Sequence, residues 1–343
     1  MTLKKYGWEL TLFCLVIIEI LGFGAFNSRM LDLNVLLYST SDFIYIGMLA
    51  LPLTMIIVSG GMDISFGSTV GLCAITLGVL FKSDVPLMLA IPLTFVAGML
   101  CGLINAGLIL YTKVNPLVIT LGTMYLFGGG ALLLSGFAGA TGYEGIGGFP
   151  DTLLDFANQT LFGIPTPILY FLFMTVIFWL LMHKTTIGRS TFLIGQSERT
   201  SRYSAVPIRR TLVLLYSFIG IIAAFVAVLL VSYFGSARSD LGSSLLMPVL
   251  TAVVLGGANI YGGAGSIIGT AIAAMLIGYL QQGLQMIGIP NEISSALSGA
   301  LLIIVLIGKS VSLHYGTIVQ WVRRRTERQA VIDEKLNQKE TLL

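Results

Sequence analysis

The chain has 343 residues, 56% hydrophobic and only 10% charged. Soluble domains carry roughly a quarter charged residues, so a soluble globular protein of this size is excluded. The net charge of +3 is small; its distribution along the chain is the informative part.

At about 20 residues per span, the apolar runs predict an all-α polytopic membrane protein of about ten transmembrane helices. The predicted spans are 8–26, 42–58, 66–81, 87–110, 116–135, 165–182, 211–232, 246–258, 267–287 and 293–308. Residues 1–310 read as one membrane domain and 311–343 as a polar cytoplasmic tail. The first run follows Lys4 and Lys5 like a signal peptide. Glu19 interrupts it and no Ala-x-Ala site closes it, so a retained helix is expected. Asp42, beside Ser39, Thr40 and Ser41, is expected to cap the second span. Spans 66–81 and 246–258 are short and flanked by glycine-rich segments, the pattern of broken transporter helices. The outer connection 136–164 holds Gly136, Gly139, Gly142, Gly145, Gly147, Gly148 and Pro150, which suits a loop rather than a span. The longest inner connection, 183–210, carries six basic residues.

With the N-terminus inside, all but three of the 19 Lys and Arg residues fall in inner segments; the exceptions are Arg29, Lys82 and Arg238. This positive-inside bias predicts that both termini are cytoplasmic. Pro52 and Gly60-Gly61 have counterparts at the same spacing in Pro248 and Gly256-Gly257, and Gly67-Ser68 and Gly71 match Gly265-Ser266 and Gly269. Duplicated halves are therefore expected, with their relative orientation open.

Enzyme motifs fail. Gly308-Lys309-Ser310 lacks the upstream glycine of a phosphate loop, because Ile303 stands there. Ile268 likewise replaces the last glycine of a GxGxxG pattern over residues 262–265. His183 and His314 are far apart in sequence and flank helix ends, which suits an interfacial placement rather than catalysis, and Cys14, Cys73 and Cys101 read as small buried hydrophobes. No cofactor, metal or ATPase machinery is expected. Two acids at bilayer depth stand out, since such groups are costly. Glu19 reads as an interior-facing or snorkelling acid, and Asp63 as either a cap or a functional group.

Residues 60–68 (GGMDISFGS) resemble the signature of ribose-type permeases of bacterial ABC importers. Residues 188–203 (GRSTFLIGQSERTSRY), after Thr185-Thr186, resemble that family's ATPase-docking loop, and 254–269 and 115–123 two further signatures. The resemblance runs in order from Trp8 to Gly308. Residues 32–41, 113–123, 141–150 and 231–241 narrow it to the permeases of autoinducer-2 importers.

The resemblance implies a non-enzymatic transport subunit in the bacterial inner membrane. Its partners would be an ABC ATPase, a second homologous permease in a heterodimer, and a periplasmic substrate-binding protein. Membrane lipid would surround it, and no nucleic acid is expected. The implied substrate is small and sugar-like; a pentose importer and an ion-coupled secondary carrier are the alternatives. Gly188, Arg189, Gly195, Gln196, Arg199, Arg202 and Tyr203 are the implied ATPase-coupling residues. Asp63, Ser65, Asn105, Asn115, Thr120 and Asn259 are candidates for the translocation path.

Overall fold

The computed structural model describes residues 7–140, 145–290 and most positions between 293 and 307. Lys4, Lys5, Gly142, the 308–310 motif, His314 and the tail 311–343 lie outside the described residues, as do residues 141–144 of one family-like segment.

A bilayer offers the backbone no hydrogen-bond partners, so apolar segments satisfy their own amides as helices. The helices are α1 (Gly7–Phe26), α2 (Leu33–Val58), α3 (Phe66–Lys82), α4 (Leu87–Thr112), α5 (Pro116–Phe137), α6 (Asp151–Asn158), α7 (Thr166–Lys184), α8 (Thr186–Gln196), α9 (Glu198–Tyr203), α10 (Ile208–Phe234), α11 (Leu246–Leu255) and α12 (Ile267–Met286). A two-residue hairpin, β1 (Thr160–Leu161) with β2 (Ile164–Pro165), is the only sheet among the described residues. Seven of the helices are long and apolar enough to cross a membrane, while α3 and α11 are shorter apolar helices. The described positions between 293 and 307 are helical. The molecule is thus a polytopic all-α membrane protein.

Local signals explain the boundaries. Asn115 accepts a hydrogen bond from Leu117 N (2.9 Å) with Pro116 at the first helical position, an economical start for α5. Ser266 caps α12 through Gly269 N at 3.1 Å, and Gly235, left-handed at φ 65°, ends α10. One boundary departs from expectation. α2 starts at Leu33, capped by Asp32 through Asn34 N at 2.9 Å, so Asp42 lies well inside the helix and caps nothing. The segment was lost to hydropathy because Ser39, Thr40, Ser41 and Asp42 are polar; Thr40 spends its hydroxyl on Tyr279 of α12 at 2.8 Å.

Within residues 1–299, α2 is the central element, almost wholly buried and packed on α7, α10, α11 and α12. α1, α4 and α5 turn most of their apolar surface outward, as lipid-solvated helices do. Cys73 and Cys101 are buried as expected, whereas Cys14 lies on the exposed side of α1. The break before α11 is an irregular segment, 235–245, of turns ending in a short 3-10 helix (Ser243–Leu245), laid against α3. A Cβ on Gly67 would fall 2.6 Å from Gly242 O, and one on Gly71 2.1 Å from Ser239 O. Irregular backbone at this depth is tolerated because protein covers it.

Contacts sort the connections onto two faces. Trp8 Nε1 donates to Leu255 O at 2.9 Å and Gly263 N to Val58 O at 2.8 Å, so the start of α1 and the ends of α2 and α11 share one face with α8. On the other face Asn27 reaches Met286 O, Lys82 reaches Ala138 O, and Ile146 bridges Ala237.

Candidate translocation and coupling site

Four of the six path candidates converge. The irregular segment between α2 and α3 carries Asp63, whose Oδ1 accepts from Ser65 N and Ser65 Oγ, both at 2.7 Å. Asn105 of α4 donates to Ser65 Oγ at 2.8 Å and to Asp63 Oδ2 at 3.4 Å. Thr120 of α5 approaches Met62 O at 3.5 Å, and Tyr216 of α10 donates to the same carbonyl at 3.0 Å. Asp63, Ser65, Asn105 and Thr120 are each at most 1% exposed. They form a closed knot that ties an irregular backbone to three helices.

Asn115 and Asn259 stand apart. Asn115 caps α5, and Asn259 holds the α11–α12 connection by donating to Gly262 O (3.1 Å) and accepting from Tyr261 N (3.2 Å). Tyr216 was not among the residues read from the sequence. A tyrosine inside an apolar run is its only signal there, and its partner lies 154 positions away.

The knot makes a prediction. Asp63→Ala leaves two Ser65 donors and an Asn105 amide without their acceptor, and a buried unpaired group costs about 1–3 kcal/mol. Glu19 keeps its Oε2 buried with no hydrogen-bond partner, so Glu19→Gln removes no bond there. Uptake at matched membrane abundance should fall severalfold for Asp63→Ala and little for Glu19→Gln. Near-normal uptake by both would remove the knot from any functional account.

The inner connection folds as two short helices. Thr185 caps α8 through Gly188 N (3.4 Å), and Ser197 caps α9 through Thr200 N (3.2 Å). The seven coupling candidates divide by direction. Gly188 and Gly195 face the protein: a Cβ on Gly188 would fall 1.9 Å from Met182 O, and one on Gly195 1.8 Å from Val58 O. α8 runs through Gly195 to Gln196, so this glycine serves close packing and does not break the helix. Arg189, Gln196, Arg199, Arg202 and Tyr203 are exposed, with Leu193 between them, giving a surface of guanidinium, amide and aromatic groups. Arg202 pairs with Glu198 at 2.8 Å. A cavity of about 880 Å³ adjoins this surface, lined by Gly60, Lys113, Asn115, Glu198, Arg202 and Tyr216 among others.

Three glycine segments meet beneath α8. Gly262 lies against Gly195 and Gly60, so a Cβ there would sit 2.8 Å from Gly195 O and 3.0 Å from Gly60 N. The end of the first Pro-to-Gly-Gly segment and the α11–α12 connection that follows the second thus meet at the inner side of α8.

The chain matches a family model described as "Branched-chain amino acid transport system / permease component" over residues 35–306. It is similar to the Autoinducer 2 import system permease protein LsrD of Yersinia pseudotuberculosis serotype IB (strain PB1/+), at 69% identity over 329 residues, 96% of this chain and 99% of that protein. The same-named protein of Yersinia pestis (strain Pestoides F) is 70% identical over 327 residues, covering 95% and 98%. Among solved structures, PsaBC from Streptococcus pneumoniae in complex with Fab aligns with 84% of this chain and 95% of its own, at 15% identity and a TM-score of 0.47. With apolar helices throughout and a family match over most of its length, the chain belongs to the branched-chain amino acid transport system permease family and is a multi-pass transport subunit of the membrane.

Proposed function

We propose that this chain is one permease of an ABC importer for autoinducer-2 in the bacterial inner membrane. It would form a heterodimer with a second, homologous permease. A periplasmic protein would deliver the solute, and ATPase subunits would drive the cycle. About ten spans with both termini cytoplasmic fit the inner bias of Lys and Arg. On that reading residues 1–310 are the membrane domain and 311–343 a cytoplasmic tail. The observation that carries the proposal is the α8–α9 surface: exposed arginines, glutamine and tyrosine on one side, and on the other a glycine contact with the end of α2 and the α11–α12 connection. Such a part receives force from a partner and passes it to the helices. We assign Asn115, on the inner cavity, to the inner mouth, and the Asp63 group to positioning the segment above it. Asp63, one of the acids an ion-coupled carrier could use, is closed in by its partners.

The test is to purify the tagged chain, identify co-purifying subunits by mass spectrometry, and measure autoinducer-2 uptake by the complex. Uptake of a pentose instead would change the substrate, and uptake without an ATPase would overturn the importer reading.

The arginines give a sharper expectation. Replacing Arg199 and Arg202 with Lys keeps the inner charge, so insertion should stay normal. A lysine at position 202 can still pair with Glu198 at i,i+4, and that exposed pair is worth only about 0.3–0.5 kcal/mol, so the fold should also hold. An ammonium does not replace a planar guanidinium making paired hydrogen bonds. ATPase co-purification and uptake should each fall roughly tenfold or more, the scale of one charge-assisted bond. Unchanged values, for Lys and for Ala alike, would leave these arginines as topology determinants only.

A further inference from the structure

The face opposite α8 and α9 carries a second cavity, of about 550 Å³, where the N-terminal half of α2 meets the ends of α6, α10 and α12. Its volume falls within the range of small-molecule sites. Its lining sets the polar side chains of Tyr38, Ser41, Asp42, Asn158, Tyr233 and Gln282 among apolar ones, in a protein otherwise sparing with polar groups.

Asp42 sits in mid-helix, where a carboxylate has no capping duty, and one of its oxygens accepts the Tyr233 hydroxyl hydrogen bond. Its second oxygen remains as an acceptor. Ser41 is 5% exposed, and its hydroxyl is buried with no hydrogen-bond partner; one turn deeper the Tyr45 hydroxyl is in the same condition. Unpaired groups of this kind are costly and rare in native interiors. Asn158 commits its amide hydrogens to Leu154 O (2.8 Å) and Ser232 O (3.2 Å), which leaves its carbonyl as an acceptor. Tyr38 is 57% exposed and presents a ring at the rim.

A carboxylate oxygen and an amide carbonyl that accept, hydroxyls that donate or accept, and an aromatic face together match a small solute bearing several hydroxyls. We propose that this cavity is the permease's entry subsite for such a solute, with Asp42 and Tyr233 as its specificity-determining pair. The inference rests on the importer reading. It adds the place where the solute is held on leaving the binding protein, on the face away from the ATPase surface.

The test uses the whole complex in proteoliposomes: the chain, its sister permease, the ATPase and the loaded binding protein, with labelled autoinducer-2 as probe. Solute moved per ATP hydrolysed is compared between wild type and Asp42→Asn/Tyr233→Phe. We expect that ratio to fall about tenfold, the scale of losing a hydrogen bond to a charged group. ATPase association and binding-protein-stimulated hydrolysis should keep their wild-type values, whereas a folding defect would lower all three together. Should the double variant not accumulate, Tyr233→Phe alone, which removes one hydroxyl and keeps the ring, should still lower the ratio at least threefold, roughly the effect of one neutral bond. A wild-type ratio in either variant overturns the subsite and leaves the importer standing. No uptake by the wild-type complex overturns the importer reading and this inference with it.

Discussion

Replacing Gly102 with valine is expected to leave little folded protein in the membrane. α4 and α10 form the most extensive helix pair among the described residues. Their crossing is built on main-chain contact. A Cβ on Gly102 would fall 2.0 Å from Tyr216 O, one on Gly98 2.3 Å from Gly220 O, and one on Gly220 2.1 Å from Gly98 O. Glycines four apart on α4 admit the partner backbone, the small-residue packing that replaces the hydrophobic effect between helices in lipid. A carbonyl cannot swing aside as a side chain can, so the helices must separate. Overpacking costs about 1–3 kcal/mol where side chains can adjust; three added carbons against two main chains should exceed that. Against a total stability of about 5–15 kcal/mol, the loss is severe. It also reaches the knot, since Tyr216 holds Met62 O through its hydroxyl. Membrane abundance and monodispersity in detergent check this, with Gly122→Val on α5 as control, where an added Cβ meets nothing within 4 Å. Equal behaviour of the two variants would refute the crossing as described.

Much of this fold was legible because lipid imposes a simple code. Runs opening at 66, 87, 116 and 267 become helices that begin at Phe66, Leu87, Pro116 and Ile267, because hydropathy and local start signals agree there. The start of α2 was illegible for the reason that makes it interesting: its polar residues face α12 and a cavity, which lowers hydropathy without breaking the helix. The irregular segment 235–245 carries no periodicity of its own, and its place depends on the glycine face of α3. Asp63 announced itself as an acid at membrane depth, yet its partners on α4, α5 and α10 are fixed only by packing. The spacing of Gly98 and Gly102 was a readable sign of close helix approach. The partner helix was not readable, because many apolar helices fit such a face equally well on paper.

Gly195→Ala should separate ATPase docking from transport. Its added methyl would lie 1.8 Å from Val58 O and 2.5 Å from Gly263 N, on top of the 2.8 Å hydrogen bond that joins those two groups. All the neighbours are main chain, so relief requires α8 to lift away from the end of α2 and from the α11–α12 connection together. The exposed row of Arg189, Gln196, Arg199, Arg202 and Tyr203 stays intact, as do the caps at Thr185 and Ser197. Movement of the ATPase would then reach α8 and be poorly transmitted to the end of α2 or to the α11–α12 connection. With only main chain to give way, the strain should reach or exceed the roughly 1–3 kcal/mol of overpacking that side chains can relieve. Placed on the coupled arrangement, it corresponds to roughly a tenfold or larger loss at about 1.4 kcal/mol per decade. Co-purification of the ATPase and membrane abundance should therefore stay near wild type, while uptake falls about tenfold or more. Wild-type uptake by Gly195→Ala at matched abundance would mean that the glycine junction transmits nothing, and the route from the ATPase to the path would have to run through α7 or α10 instead.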